Sequence, residues 1–210
     1  MKNRKELLLT TLLCLLPIPA GALLYDRLPE RIATHFDMSG TPDGWSSRAF
    51  AVFGIPLMMA AMELALQLVL NADPKRQNMN GALRAVAVWT VPAVTILVSA
   101  LVLGAALGAP MHVETVVPLL VGILFIVIGN YLPKTKQNYT VGIRLPWTLN
   151  SEVNWNRTHR MAGFLWVVGG AVMVLLTLLH LWSVGALLAL ILALSLTPCV
   201  HSYLLYKKGI

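Results

Sequence analysis

Long apolar runs alternate with polar joints along the chain, and two of the joints are much longer than the others. Apolar stretches occupy Leu7–Leu24, Ala49–Leu70, Ala85–Leu107, Val116–Leu132, Met161–His180 and Val184–Tyr206. A helix rising about 1.5 Å per residue needs about 20 residues to cross roughly 30 Å of hydrocarbon, so each run is near spanning length. The runs are continuously apolar, whereas a barrel strand alternates over about 10 residues. The pattern predicts an all-α polytopic membrane protein with six transmembrane helices.

Composition agrees with that solvent. Hydrophobic residues make up 57% of the 210 positions and charged residues 12%, too apolar for an ordinary soluble domain. A net charge of +7 would raise nucleic-acid binding in a soluble protein, but topology accounts for it here. With the N-terminus inside, Lys2, Arg4, Lys5, Lys75, Arg76, Arg84, Lys134, Lys136, Arg144, Arg157, Arg160, Lys207 and Lys208 fall on the cytoplasmic side, thirteen of the sixteen basic residues. Arg27, Arg31 and Arg48 fall outside, beside Asp26, Glu30, Asp37 and Asp43. The positive-inside rule therefore predicts an N-in/C-in protein, with membrane lipids as neighbours and no direct nucleic-acid partner.

The start of the chain also imitates a cleavable signal peptide: basic residues, Leu7–Leu16, then Pro17-Ile-Pro-Ala-Gly-Ala22. Retention as the first span is the expectation, although cleavage would leave a topology of five spans. Cys14 and Cys199 both lie in apolar runs, so neither a disulfide framework nor a metal cluster is indicated, and no cofactor motif is present.

The joints Gly108–Thr115 and Leu181–Ser183 do little more than turn the chain, and Asn71–Arg84 reads as a polar turn with Pro74 and Gly81. The external Tyr25–Arg48 and the cytoplasmic Pro133–Arg160 are long and dense in Trp, Pro, Gly, His and charge, which marks functional or mobile segments. The organisation expected is an N-terminal module over residues 1–70, a third span with its linkers over 71–115 and a core over 116–210. No internal repeat supports an inverted-repeat transporter.

In the cytoplasmic loop, a helix over Thr148–Arg160 would put Thr148, Glu152, Trp155 and His159 on one face; Ser151 would instead cap a shorter helix. One reading is an interfacial helix, with Trp147 and Trp155 in the headgroup zone and Arg144, Arg157 and Arg160 meeting lipid phosphates. The other is a polar site of Asn130, Asn138, Arg144, Thr148, Glu152, Trp155 and His159 that receives a partner or a phosphate-bearing ligand. Acid–base catalysis has a weak signal, because Glu152 and His159 would lie two turns, about 10 Å, apart. In the external loop, His35, Asp37 and Asp43 match no metal motif, and Pro42-Asp43-Gly44 is turn chemistry. Tyr25, His35, Phe36, Asp43 and Trp45 form the expected recognition surface, since aromatic anchors commonly dominate recognition. Glu63 and Gln67, one turn apart in the second span, are either an interhelical polar contact or a proton-sensitive site.

Two motifs carry a resemblance. The external segment runs from Leu28-Pro29 through His35-Phe36 and Gly40 to Asp43-Gly44-Trp45, and is similar to the N-terminal module, of undefined function, that precedes SdpI-type membrane proteins. Gly129-Asn-Tyr-Leu-Pro-Lys134, Asn138-Tyr139, Gly142-Ile-Arg144, Pro146-Trp-Thr148, Ser151-Glu152, Trp155 and Thr158-His-Arg160 resemble the SdpI core signature. The resemblance implies a multi-pass protein of the bacterial cytoplasmic membrane with an immunity role: protection from a secreted toxin peptide, and signal reception by holding a transcriptional repressor at the membrane. The alternative is a small-molecule or lipid transporter, or a lipid-processing enzyme, with Glu63, Arg144, Glu152 and His159 lining a cavity.

Overall fold

Residues 2–37, 39–181 and 183–210 are described in the computed structural model, the side chains of Lys2 and Asn3 excepted. Among them, six helices are long and apolar enough to cross a membrane. Helix α1 (Lys2–Leu15) is followed by α2 (Pro17–Leu23) within the first span, and α3 (Ile55–Ala72) and α4 (Gly81–Ala106) form the next two. Helix α5 (Val113–Tyr131), the short α6 (Pro146–Asn150), α7 (Glu152–Leu178) and α8 (Val184–Lys207) complete the chain. The apolar runs thus became helices, with one boundary moved substantially. The fifth span starts at Glu152, not Met161, because the Ser151 side chain accepts the Asn154 N–H and caps the helix there. The short joint expected at Leu181–Ser183 includes Trp182, which lies outside the described residues; beyond it, the Ser183 side chain caps α8 through the Ala186 N–H.

The chain divides into two compact units, Met1–Val69 with Ala87–Glu114, and Leu70–Val86 with Thr115–Ile210. In the first unit, the helical run breaks between Leu15 and Pro17, since Pro17 and Pro19 lack the N–H that would continue the ladder. An antiparallel hairpin follows, β1 (Arg31–Phe36) and β2 (Pro42–Ser47), with Arg31 opposite Ser47 and Ala33 opposite Trp45. Helical periodicity gave no sign of it. Pro42-Asp43-Gly44, expected as the turn, lies within β2; the chain reverses instead around Asp37, whose Oδ1 accepts the Ser39 N–H at 2.8 Å, the Ser39 hydroxyl at 2.6 Å and the Thr41 N–H at 2.9 Å. Those hydrogen bonds, the Ser39 hydroxyl first, hold the Asp37 carboxyl below its ordinary range.

Arg48 ties the hairpin down. Its guanidinium lies 4.3 Å from the Tyr25 ring centroid and donates to the Tyr25 and Leu28 carbonyls at 2.8 and 3.1 Å. Leu28 and Ile32 of this segment bury against Ala51, Val52, Val102 and Leu103. A single π-helical turn, Phe50–Gly54, leads into α3.

In the second unit, α5 and α7 touch backbone to backbone. A Cβ on Gly129 would stand 2.8 Å from the Gly163 carbonyl oxygen, and one on Gly170 would stand 2.5 Å from the Gly122 carbonyl oxygen. Apolar burial gives helices in lipid little reason to associate, so close packing at small residues contributes much of the adhesion. Helix α8 packs on α7 through a proline. Pro198 cannot donate to the Leu194 carbonyl, and the Trp166 indole N–H fills that place at 2.8 Å.

Replacing Gly170 by Ala forces α5 and α7 apart, and a loss of about 1–3 kcal/mol is expected. Gly185→Ala, where nothing lies within 4 Å of the added methyl, should leave stability within about 0.5 kcal/mol of the parent. Thermal unfolding of the purified protein in lipid nanodiscs compares the two directly.

Candidate functional site

The second unit folds its long joint into a packed polar structure. Three amide side chains and one acid organise it. Asn138, fully buried, accepts the Thr140 and Val141 N–H groups on Oδ1 at 3.0 and 2.7 Å and donates to the Lys136 carbonyl. Gln137 donates to the Thr148 and Leu149 carbonyls at 3.0 and 2.9 Å, while its Oε1 accepts the Lys75 ammonium at 2.7 Å. Asn78 donates to the Gln137 carbonyl at 2.8 Å. The two polar joints of this unit, around residues 73–78 and 135–149, are therefore sewn together.

Asp73 is the acid in that seam. Its Oδ2 accepts the Tyr139 N–H at 2.9 Å and the Thr140 hydroxyl at 2.6 Å, and Oδ1 accepts the Lys75 N–H at 2.7 Å. Burial pushes the carboxyl up, but the Thr140 hydroxyl and the backbone donors outweigh it and hold the group below its ordinary range.

The third element is a buried stack. The Trp155 and His159 rings lie 3.9 Å apart at 21°, one helical turn apart on α7. Trp155 donates its indole N–H to the Thr135 carbonyl at 2.8 Å. His159 Nε2 accepts the Ile143 N–H at 3.0 Å, so that nitrogen carries no proton, and Nδ1–H donates to the Trp155 carbonyl at 2.8 Å. Gly142 crosses this stack with φ at +118°; a Cβ there would lie 2.5 Å from His159 Nε2 and 3.1 Å from Trp155. Thr148 closes the loop by accepting the Leu145 N–H and donating to the Ile143 carbonyl, each at 2.8 Å.

This geometry corrects two sequence readings. Thr148–Arg160 is not one helix: α6 ends at Asn150 and α7 begins after the extended Ser151, so Thr148 does not continue the face of Glu152, Trp155 and His159. Trp155 is not a headgroup anchor either; its accessibility is 0%, because the loop folds over it. Trp147 is partly exposed, stacks with Tyr206 at 5.9 Å and donates to the Ser202 hydroxyl at 2.7 Å.

Of the site residues read from sequence, Asn138, Thr148, Trp155 and His159 meet in the buried scaffold, whereas Asn130, Arg144 and Glu152 are exposed. Arg144 donates to the Tyr139 carbonyl at 2.9 Å, which fixes its stem against the loop. Both His159 ring nitrogens are occupied, so the ring acts as a structural post and does not face a reacting group. Tyr139 and Arg144 lie on the exposed face of the loop. Asp73, Lys75, Asn78 and Gln137 were not singled out in the sequence as parts of this structure, and Gly142 stood there only within the SdpI-type signature. Asp73 had one signal, as the sole acid in the basic joint Asn71–Arg84; Gln137 had none.

In the first unit, His35 Nδ1 and Asp43 Oδ1 pair at 2.5 Å on the hairpin surface, with side chains 73% and 47% exposed. Trp45 is 51% exposed. Phe36 and Tyr25 are half-buried, Tyr25 lying under Arg48 and against Phe53. Glu63 and Gln67 are fully buried and hydrogen-bonded to each other at 2.6 Å.

Six apolar spans and a protein-satisfied polar loop define a multi-pass helical membrane protein. The SdpI/YfhL protein family matches residues 134–202, and a domain of unknown function, DUF1648, matches residues 12–60. The chain is 26% identical over 205 residues to the Immunity protein SdpI of Bacillus subtilis (strain 168), with 97% of each chain covered. The chain is thus similar to SdpI-type proteins at both its N-terminal module and its core, and it is a multi-pass protein of the bacterial membrane. No solved structure matches it.

Asp73→Ala removes the acceptor for three donors, and a loss of about 2–4 kcal/mol is expected, with faster hydrogen exchange at the Tyr139 and Thr140 amides. Because the folded-state carboxyl is held low, this stabilisation is complete above the ordinary carboxylate range and disappears as pH falls through the folded-state value. The protection factor at Tyr139, the exchange rate of an unstructured amide at the same pH relative to that observed, should therefore fall on acidification in the parent and lose that acid step in Asp73→Ala.

Proposed function

We propose that this protein is an immunity protein that protects a bacterial membrane against a secreted toxin peptide. The observation that carries the reading is the end-to-end similarity to the Immunity protein SdpI, which spans both the hairpin module and the polar-loop core. In this reading the chain lies N-in/C-in, supported by the distribution of its basic residues. The hairpin then faces outward, where His35, Phe36, Asp43 and Trp45 meet the peptide: an exposed aromatic ring and an imidazole–carboxylate pair suit a mixed apolar and charged ligand.

The loop carrying Arg144, with Asn130 and Glu152 at the flanking ends of α5 and α7, then faces the cytoplasm over the buried Asn138, Thr148, Trp155 and His159. A repressor protein is the partner that the family resemblance suggests for this face. Loop and scaffold give it a rigid surface, since Asp73, Gln137 and His159 leave the backbone few alternatives. Signal reception would require the peptide to bind two arrangements of the protein with different affinity.

Survival of a toxin-sensitive bacterial strain, challenged with an Sdp-type toxin peptide, is the test. Expression of the parent chain should protect. Trp45→Ala combined with His35→Ala should lower protection by about tenfold or more in peptide concentration at unchanged membrane abundance, as expected for loss of a central aromatic anchor. Parent protein that reaches the membrane in normal amount and gives no protection would refute the reading and favour transport or lipid chemistry.

A further inference from the structure

The first unit holds a polar cluster that neither the hairpin nor the loop uses. Thr10 of α1 and Glu63 and Gln67 of α3 have 0% accessibility. The Gln67 amide donates to Glu63 Oε1 at 2.6 Å and to Thr10 Oγ1 at 2.8 Å, and Thr10 directs its own proton to the Glu6 or Leu7 carbonyl. Every donor in the trio is therefore engaged. Two acceptors remain: Glu63 Oε2 and Gln67 Oε1 are buried without a hydrogen-bond partner.

Cys14 of α1 faces this carboxyl, and Cys14 in turn meets Thr95 of α4. Thr95 donates to the Val91 carbonyl of its own helix. Among the described residues, no Lys, Arg or His pairs with Glu63. An uncompensated carboxylate inside a membrane span is strongly disfavoured, and an orphan amide oxygen adds to the cost.

We propose that Glu63, Gln67 and Thr10 form an intramembrane binding site for one small monovalent cation, a proton or a dehydrated alkali ion, held between Glu63 Oε2 and Gln67 Oε1. One positive charge neutralises the carboxylate and gives both orphan oxygens a partner at once. A proton does so as a carboxylic acid facing an amide carbonyl; an alkali ion does so by coordination to carboxylate, amide and hydroxyl oxygens, the hard donors that such ions take. A divalent ion fits less well, since one carboxylate leaves an excess charge and the trio offers few of the six or more oxygens that calcium requires. This site stands on the buried residues themselves and does not depend on the immunity reading.

The test uses the full chain in lipid nanodiscs. Thermal unfolding is followed in sodium, potassium and choline chloride at one ionic strength, and infrared spectra are recorded at neutral pH, for the parent, Glu63→Gln and Glu63→Asp. A midpoint raised by sodium or potassium over choline, and absent in Glu63→Gln, supports the site with an alkali ion as occupant. No salt effect, together with an acid carbonyl band in the parent that is missing from Glu63→Gln, supports it with a proton. Glu63→Asp keeps the charge but withdraws it by one methylene; it should raise the half-saturating alkali concentration about tenfold or displace the acid band. If Glu63→Gln does not accumulate, the parent and Glu63→Asp make the same comparison. Only carboxylate bands and no dependence on cation identity in the parent would overturn the proposal.

Discussion

Within hydrocarbon there is no water to accept a stray hydrogen bond, so each polar group inside a span needs a partner from the protein. That constraint shapes the molecule from helix to loop. It is why Trp166 reaches across to the Leu194 carbonyl that Pro198 leaves open. It is also why Gln67 lies between Thr10 and Glu63. The second unit extends the same logic past the ends of its spans: the joint after α5 is folded back and satisfied by Asn138, Gln137 and Asp73 with almost the thoroughness of a helix interior.

The consequence for function is a separation of roles. Residues that look chemical in the sequence, His159 and Trp155 above all, are consumed by structure: the imidazole bridges the Ile143 N–H and the Trp155 carbonyl, and Gly142 passes over the rings where no side chain would fit. In the proposed reading, recognition falls to exposed neighbours held in place by that scaffold. Arg144 projects from a loop whose backbone is pinned on both sides. A residue cluster that resists deformation loses little conformational freedom when a partner binds, which favours affinity without any reacting group.

The hairpin of the first unit follows a related principle in a wetter setting. Its turn is organised by one exposed carboxylate, Asp37, and its base by Arg48, which covers Tyr25 and takes two backbone carbonyls. Ile32 faces the apolar cluster while His35, Asp43 and Trp45 are left open. A small sheet of two strands is marginal by itself; these anchors make it a presentable surface.

Much of the architecture was legible in the sequence because spanning a bilayer requires an uninterrupted apolar run, and such runs need no tertiary information to recognise. The six spans, the two long joints and the SdpI-type signatures were all visible as local patterns, as was the Glu63–Gln67 spacing. Only the tertiary structure decided what lay between distant residues. The hairpin register, the Asp73 contact to Tyr139 and Thr140, and the Gln137 bridge to Lys75 depend on segments far apart in the chain, and no local period encodes them. Trp155 shows the limit most clearly: its amphipathic ring predicts an interface, but the fold lays a loop over it and gives its indole N–H the Thr135 carbonyl. Hydropathy reports what solvent a helix needs, whereas burial of a particular ring depends on which backbone passes over it.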